Sequence, residues 1–404
     1  MRIDKLKNII QSSHVNFLLG SGVSCPYLKT LASIETWLTA TNGITNEKER
    51  LLVQDNLFIK YVEDVMKPCL PTYRTNEGSL LKIQNAYDDF LGIWNYIISR
   101  RNSNILNKQV NIFTTNIDPF VEEAAERVRI EFNNGFKGMQ NPIFREESFS
   151  TIVSKVSPLY QNQSMVPCFN YLKIHGSIDW KALSETDITY DLNLEVLSKV
   201  VESIEQYPKE YRCVNQLEEE LKKENEGKDK VELSFKRIEQ KAHDCIANGK
   251  YHETKAMKQF REGYGQLVMV NPRKTKFQET VLDLHFYELM RLYSNALERV
   301  STCLMVAGFS FADEHIAQIT MRAAASNPTL LIVVFAYNEE AKKSINESLR
   351  KGGSTGNSNI LVLSPEDYRN SQEDEFKKEL SDLKLFDLQS INKFVFNPIK
   401  HGVF

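Results

Sequence analysis

The chain has 404 residues, with 50 lysines and arginines against 53 aspartates and glutamates, for a formal net charge of −3. At 42% hydrophobic and 25% charged residues it can bury a full-sized core. A disordered chain, a collagen, a small disulfide scaffold and a uniformly basic nucleic-acid binder are thereby excluded as descriptions of the whole. The length suits two or three domains, or one large α/β domain with an insertion, at roughly 150 residues per domain.

The amino-terminal MRIDKLKNII mixes charge with apolar residues and lacks the apolar centre of a signal peptide. The run 329–337 (TLLIVVFAY) falls far short of the roughly 20 residues of a membrane-spanning helix. Cys25, Cys69, Cys168, Cys213, Cys245 and Cys303 are scattered with no C-x-x-C pair. They read as free thiols in a reducing compartment, which predicts a cytoplasmic protein without a zinc ribbon. His243, Asp244, Cys245 and His252 match no zinc spacing, so no metal is expected.

In chain order, short apolar runs without alternation read as buried parallel strands: 15–19 (VNFLL), 110–114 (VNIFT), 171–174 (YLKI), 267–270 (LVMV), 302–307 (TCLMVA), 330–336 (LIVVFA) and 359–363 (NILVL). Between them, Leu80, Ile83, Tyr87, Leu91, Trp94 and Ile98 fall at helical spacing. Strand alternating with helix predicts an α/β, Rossmann-like, doubly wound parallel sheet with helices on both faces. From 218 to 239, 14 of 22 residues are charged, and Val231, Phe235, Ile238, Ala242 and Cys245 then step by four and three. This predicts a charge-rich helical hairpin within a helical insertion at 181–265, either a solvated pair or a docking surface. Residues 365–404 read as a C-terminal extension of a single domain spanning 1–404.

The strand ends carry the chemistry. The first runs into Gly20-Ser21-Gly22-Val23-Ser24, small residues that let backbone amides approach a phosphate, with a helix N-terminus expected to follow. The second ends in Thr114-Thr115-Asn116-Ile117-Asp118-Pro119, where Asp118 reads as an N-cap with Pro119 at the first helical position. The third ends in Lys173-Ile174-His175-Gly176, placing a histidine suited to general base work at a ligand-binding edge. The run 302–307 leads into Gly308-Phe309-Ser310-Phe311-Ala312-Asp313, where Asp313 can cap the next helix, and the run 330–336 leads into Tyr337-Asn338. Together these ends read as a nucleotide site containing a histidine.

In this order the motifs resemble those of the sirtuins: Gly20–Ser24 is similar to the family's G-A-G-x-S, Thr114–Asp118 to its T-Q-N-I-D, Lys173–Gly176 to its H-G, and Gly308–Ser310 to its G-T-S. The family's two C-x-x-C zinc pairs are missing, and Pro26-Tyr27-Leu28-Lys29 stands where it has D-F-R. Residues 133–138 (NNGFKG), Asn271-Pro272 with Lys276, and the stretch 308–316 resemble a bacterial sirtuin-like branch of NAD+-degrading antiphage effectors. The resemblance implies an NAD+ glycohydrolase, most like the subunit paired with a HerA-type hexameric ATPase, that forms a homo-oligomer and meets nucleic acid only through a partner. It implies His175, Asn116 and Asp118 as catalytic residues. For NAD+ binding it implies Gly20, Ser21, Gly22, Ser24, Thr115, Gly308, Phe309, Ser310, Asp313 and Asn338. The alternative is a module that senses NAD+ or ADP-ribose and regulates a partner without chemistry. A deacylase would need the missing zinc module, and nucleic-acid processing would need an acidic metal cluster at the strand ends.

Overall fold

The computed structural model describes residues 1–30, 32–74, 78–102, 106–184, 186–224, 233–247, 251–270, 284–353 and 356–402. Two compact units divide the chain: residues 1–27, 76–176 and 281–404 form the first, and 28–75 and 177–280 the second. The second unit therefore takes in an early segment, 28–75, as well as the region expected to be inserted. The segment 365–404 belongs to the first unit.

The first unit is built on seven strands: β1 (His14–Leu19), β2 (Gln109–Thr114), β3 (Glu131–Asn133), β4 (Cys168–Lys173), β5 (Thr302–Ala307), β6 (Leu330–Phe335) and β7 (Ile360–Leu363). They lie in the order β7-β6-β5-β1-β2-β4-β3, and every pair is parallel. The α/β fold expected from the sequence is therefore present, with the order reversing between β1 and β5, the switch point where open α/β sheets bind ligands. Two expectations change. Leu267–Met269 is a three-residue strand outside this sheet, and β3, too short to read from hydropathy, supplies the seventh place.

Both sheet faces are covered. On one, Phe17 of β1 meets Phe90 and Trp94 of the helix Gly78–Ser99, with ring centroids 4.9 and 4.8 Å apart. Phe396, from the supposed extension, meets Trp94 at 5.2 Å and Phe335 of β6 at 6.0 Å, so the C-terminal residues are part of the core. On the other face Phe113 of β2, in register with Leu18 and so pointing opposite to Phe17, meets Tyr293 of the helix Leu284–Glu298 at 5.0 Å.

An amide ladder, buried at Asn16, Asn133 and Asn170 and half-buried at Asn111, crosses four neighbouring strands. Asn133 donates to Asn170 (3.1 Å), Asn170 to Asn111 (3.0 Å) and Asn111 to Asn16 (2.8 Å), each pair in register. A strand shifted by one residue would turn its asparagine to the other face and leave its neighbours' amides unpaired, so the ladder specifies register.

The second unit contains the predicted hairpin as the helices Cys213–Glu224 and Phe235–Ala247. They are antiparallel: Cys213 Sγ at the start of one lies 3.9 Å from Cys245 Sγ near the end of the other, and Lys241 Nζ reaches Glu220 at 2.7 Å. Ile238 and Ala242 of the expected seam are fully buried, Phe235 and Cys245 half-buried, and Val231 lies outside the described residues. The second hairpin helix packs on the helix Glu47–Tyr61. From that helix Asp55, 2% exposed, pairs with Arg261 at 2.8 Å and accepts from the Tyr207 hydroxyl at 2.9 Å. Among the described residues, no helix is long and apolar enough to cross a membrane.

Candidate functional site

Because all seven strands are parallel, the loops after β1, β2, β4, β5, β6 and β7 leave the sheet at one edge. After β1 the chain makes a single 3-10 turn, Ser21–Ser24, in place of the expected helix N-terminus. The Gly20 amide donates to Ala307 O at 3.1 Å, and the Gly22 amide to Gly308 O at 2.9 Å. A Cβ on Gly20 would lie 2.5 Å from Gly308 O, one on Gly22 2.9 Å from Gly308 Cα, and one on Gly308 (φ +64°) 2.5 Å from the Val23 amide. These glycines interlock the β1 and β5 loops, and Phe309 covers Gly20. The amides of Gly20 and Gly22, expected to face a phosphate, are occupied inside the protein. The part-exposed Ser21 and the exposed Ser310 are the hydroxyl-bearing residues this corner turns toward solvent.

After β2, the Thr114 hydroxyl donates to Leu19 O at 2.8 Å and accepts the Asn116 amide at 3.0 Å, while the Thr115 amide donates to Leu19 O at 3.3 Å. This folds the loop against the end of β1. Asp118 is 3% exposed; its Oδ1 accepts from the Phe120 amide at 3.3 Å and its Oδ2 from the Ser24 hydroxyl at 3.0 Å. The helix starts at Phe120 with Pro119 at the cap, so the expected N-cap at Asp118 is displaced by one residue. Proline's fixed φ can serve the cap, and Asp118 still takes a first-turn amide. Burial raises the Asp118 pKa, opposed by Lys173, Ser24 and the Phe120 amide. Ser24 also meets the Tyr87 hydroxyl at 3.0 Å, and Asn116 hydrogen-bonds Tyr87. Burial pushes the Tyr87 hydroxyl well above its usual range and keeps it protonated. An ionised Asp118 can only accept, so Ser24 donates to it and Tyr87 donates to Ser24. The Asn116 side-chain oxygen is buried without a hydrogen-bond partner.

After β4, Lys173 is 2% exposed and pairs with Glu122 Oε1 at 2.8 Å while donating to Asp118 O, also at 2.8 Å. Two residues on, the His175 Nε2 lies 3.1 Å from Asp313 Oδ2. In the sheet, β1 and β2 separate β5 from β4, so the β5 loop reaches across about 14 Å of strand ends, three inter-strand spacings, to make this contact. Asp313 is also the N-cap of the helix Glu314–Ser326, its Oδ1 accepting from His315 and Ile316 at 3.1 and 3.3 Å.

After β6, Asn338 caps the helix Glu339–Gly352 through the Ala341 amide at 2.8 Å. With Ser364, Arg369 and Lys384 it lines a cavity of about 410 Å³ at the ends of β6 and β7. Nine of the thirteen predicted residues thus fall into three groups: Gly20, Gly22, Gly308 and Phe309; Ser24, Asn116 and Asp118, joined through Tyr87; and His175 with Asp313; Ser21, Thr115 and Ser310 lie in the same loops. Asn338 stands apart at the cavity.

Sequence reasoning missed Tyr87 and the Lys173–Glu122 pair. Tyr87 was hidden by the apolar periodicity of its helix. A lysine within an otherwise apolar strand run was the available signal for the other. Asn271, Pro272 and Lys276 lie outside the described residues. Comparison with known proteins finds no family model that matches the chain and no curated protein that matches it.

Proposed function

We propose that the chain is an NAD+ glycohydrolase that cleaves the nicotinamide–ribose bond. One observation carries the reading: a carboxylate-paired histidine and a buried, unpartnered asparagine oxygen leave neighbouring strands at the ligand-binding edge of a doubly wound sheet.

Water attacks C1′ of the nicotinamide ribose while the C1′–N bond breaks. The electron pair of that bond passes to the pyridinium nitrogen, and nicotinamide leaves neutral. The ribose carries oxocarbenium character in the transition state. The Asn116 oxygen accepts a hydrogen bond from the attacking water and orients it, and His175 takes the water's proton, a transfer worth roughly 10²–10⁴ in rate. Nicotinamide, ADP-ribose and one proton are the products. Asp118, both of whose oxygens are engaged, holds the Ser24 and Asn116 loops in place and adds negative charge behind the developing cation. Ser21 and Ser310 supply hydroxyl donors for the phosphates. The sirtuin-like motifs support NAD+ as the substrate, and they extend the proposal to a cytoplasmic antiphage effector, homo-oligomeric and paired with a HerA-type ATPase.

The test is NAD+ consumption by the purified chain, alone and with a HerA-type ATPase, with chromatography of the products. Nicotinamide plus ADP-ribose is expected, with a loss of roughly 10²–10⁴ in turnover for His175→Ala and Asn116→Ala. Intact NAD+ under every condition would refute the hydrolase, and NAD+ bound but uncleaved would establish a sensor instead.

A further inference from the structure

We infer that Asp313 is a positioning residue that fixes the tautomer of His175, making Nδ1 the atom that takes the proton. The inference rests on the hydrolase reading for its chemistry, though not for its geometry.

A carboxylate is acceptor only. One oxygen of Asp313 is committed to the helix amides of His315 and Ile316, which turns the other toward His175 Nε2 at 3.1 Å. A neutral imidazole has one ring proton, and a carboxylate facing Nε2 selects the form that carries it there. Nδ1 is then the nitrogen with a free lone pair. The same side chain ties the base to the helix Glu314–Ser326, whose Ile316, Ala317 and Thr320 are fully buried, so the ring is held by a packed element. In the hydrolysis the water proton moves to Nδ1 as the oxygen bonds C1′. The resulting imidazolium faces Asp313 through Nε2–H until Nδ1 returns its proton to solvent.

The plainer account is that Asp313 only caps its helix, and asparagine separates the two because it caps about as well as aspartate. In Asp313→Asn the amide oxygen must stay on the helix N–H groups, since an NH₂ cannot accept from them. The NH₂ therefore takes the place of Oδ2 and donates to His175 Nε2, driving the ring proton to Nδ1. The cap survives and the base is blocked.

The experiment uses the full chain labelled with ¹⁵N-histidine. Ring nitrogens are read by NMR, with His175 identified by its loss in His175→Gln, and NAD+ kinetics are run in parallel. Expected are the Nε2–H tautomer in the wild type, the Nδ1–H tautomer in Asp313→Asn, an unchanged melting temperature, and a kcat lower by roughly 10²–10⁴, no more than His175→Ala loses, with KM little altered. Asp313→Ser, which keeps a cap but places nothing at Nε2, should show a mixture of tautomers. The inference is overturned by one tautomer common to wild type and Asp313→Asn, by wild-type turnover in Asp313→Asn, or by an unmixed wild-type tautomer in Asp313→Ser. If the wild type shows the Nε2–H tautomer and Asp313→Asn its inversion, but the wild type cleaves no NAD+, the hydrolase reading falls and the positioning role of Asp313 stands.

Discussion

Gly308 illustrates how residue identity at this edge is dictated by close approach. Its φ of +64° lies in the left-handed region, and a Cβ there would meet the Val23 amide at 2.5 Å. Gly308→Ala is therefore expected to destabilise the first unit by roughly 2–4 kcal/mol, combining backbone strain with overpacking. Denaturant unfolding checks it, and a cost under 1 kcal/mol would show that the loops are not interlocked. Glycine-rich ends were legible in the sequence, but their purpose was not. A G-x-G after a strand reads as a phosphate cradle, whereas here the glycines of two loops distant in sequence make room for each other. Asp118 shows the same limit. Its proximity to Pro119 suggested a cap, and one oxygen does take the Phe120 amide, but the partner of its other oxygen, Ser24, is 94 positions away.

At the scale of elements, the strands were readable because strands buried on both sides are continuous apolar runs, and six of the seven in the sheet were placed to within a few residues. The asparagine ladder was not read, although an asparagine stands inside or beside the runs 15–19, 110–114 and 171–174. Only the pairing register shows that these residues meet. Asn170→Ala removes a donor to Asn111 and an acceptor from Asn133. Each orphaned partner costs about 1–3 kcal/mol, so a loss of several kcal/mol is expected, against under 1 kcal/mol if the ladder were incidental.

For the whole molecule, pH is the most direct probe of burial. His14 titrates at about 4, lowered from 6.5 first by burial and then by Arg299 and Arg101. The unfolded chain binds a proton below pH 6.5 that the folded chain refuses until about 4, so this contribution to stability is complete above 6.5 and falls as pH drops through that window. Thermal unfolding between pH 7.5 and 4.5 should show the loss, with a shallower dependence in His14→Gln; identical slopes would refute it. By itself the sequence determined the α/β class, most of the sheet strands, the charged hairpin and which strand ends carry polar side chains. All of these follow from local periodicity and composition. Only the tertiary structure decided the division into units, the burial of the C-terminal residues in the core, the occupied glycine amides, and the pairing of His175 with Asp313 across two intervening strands. Those depend on contacts between segments far apart in the chain, whose partners no local pattern specifies.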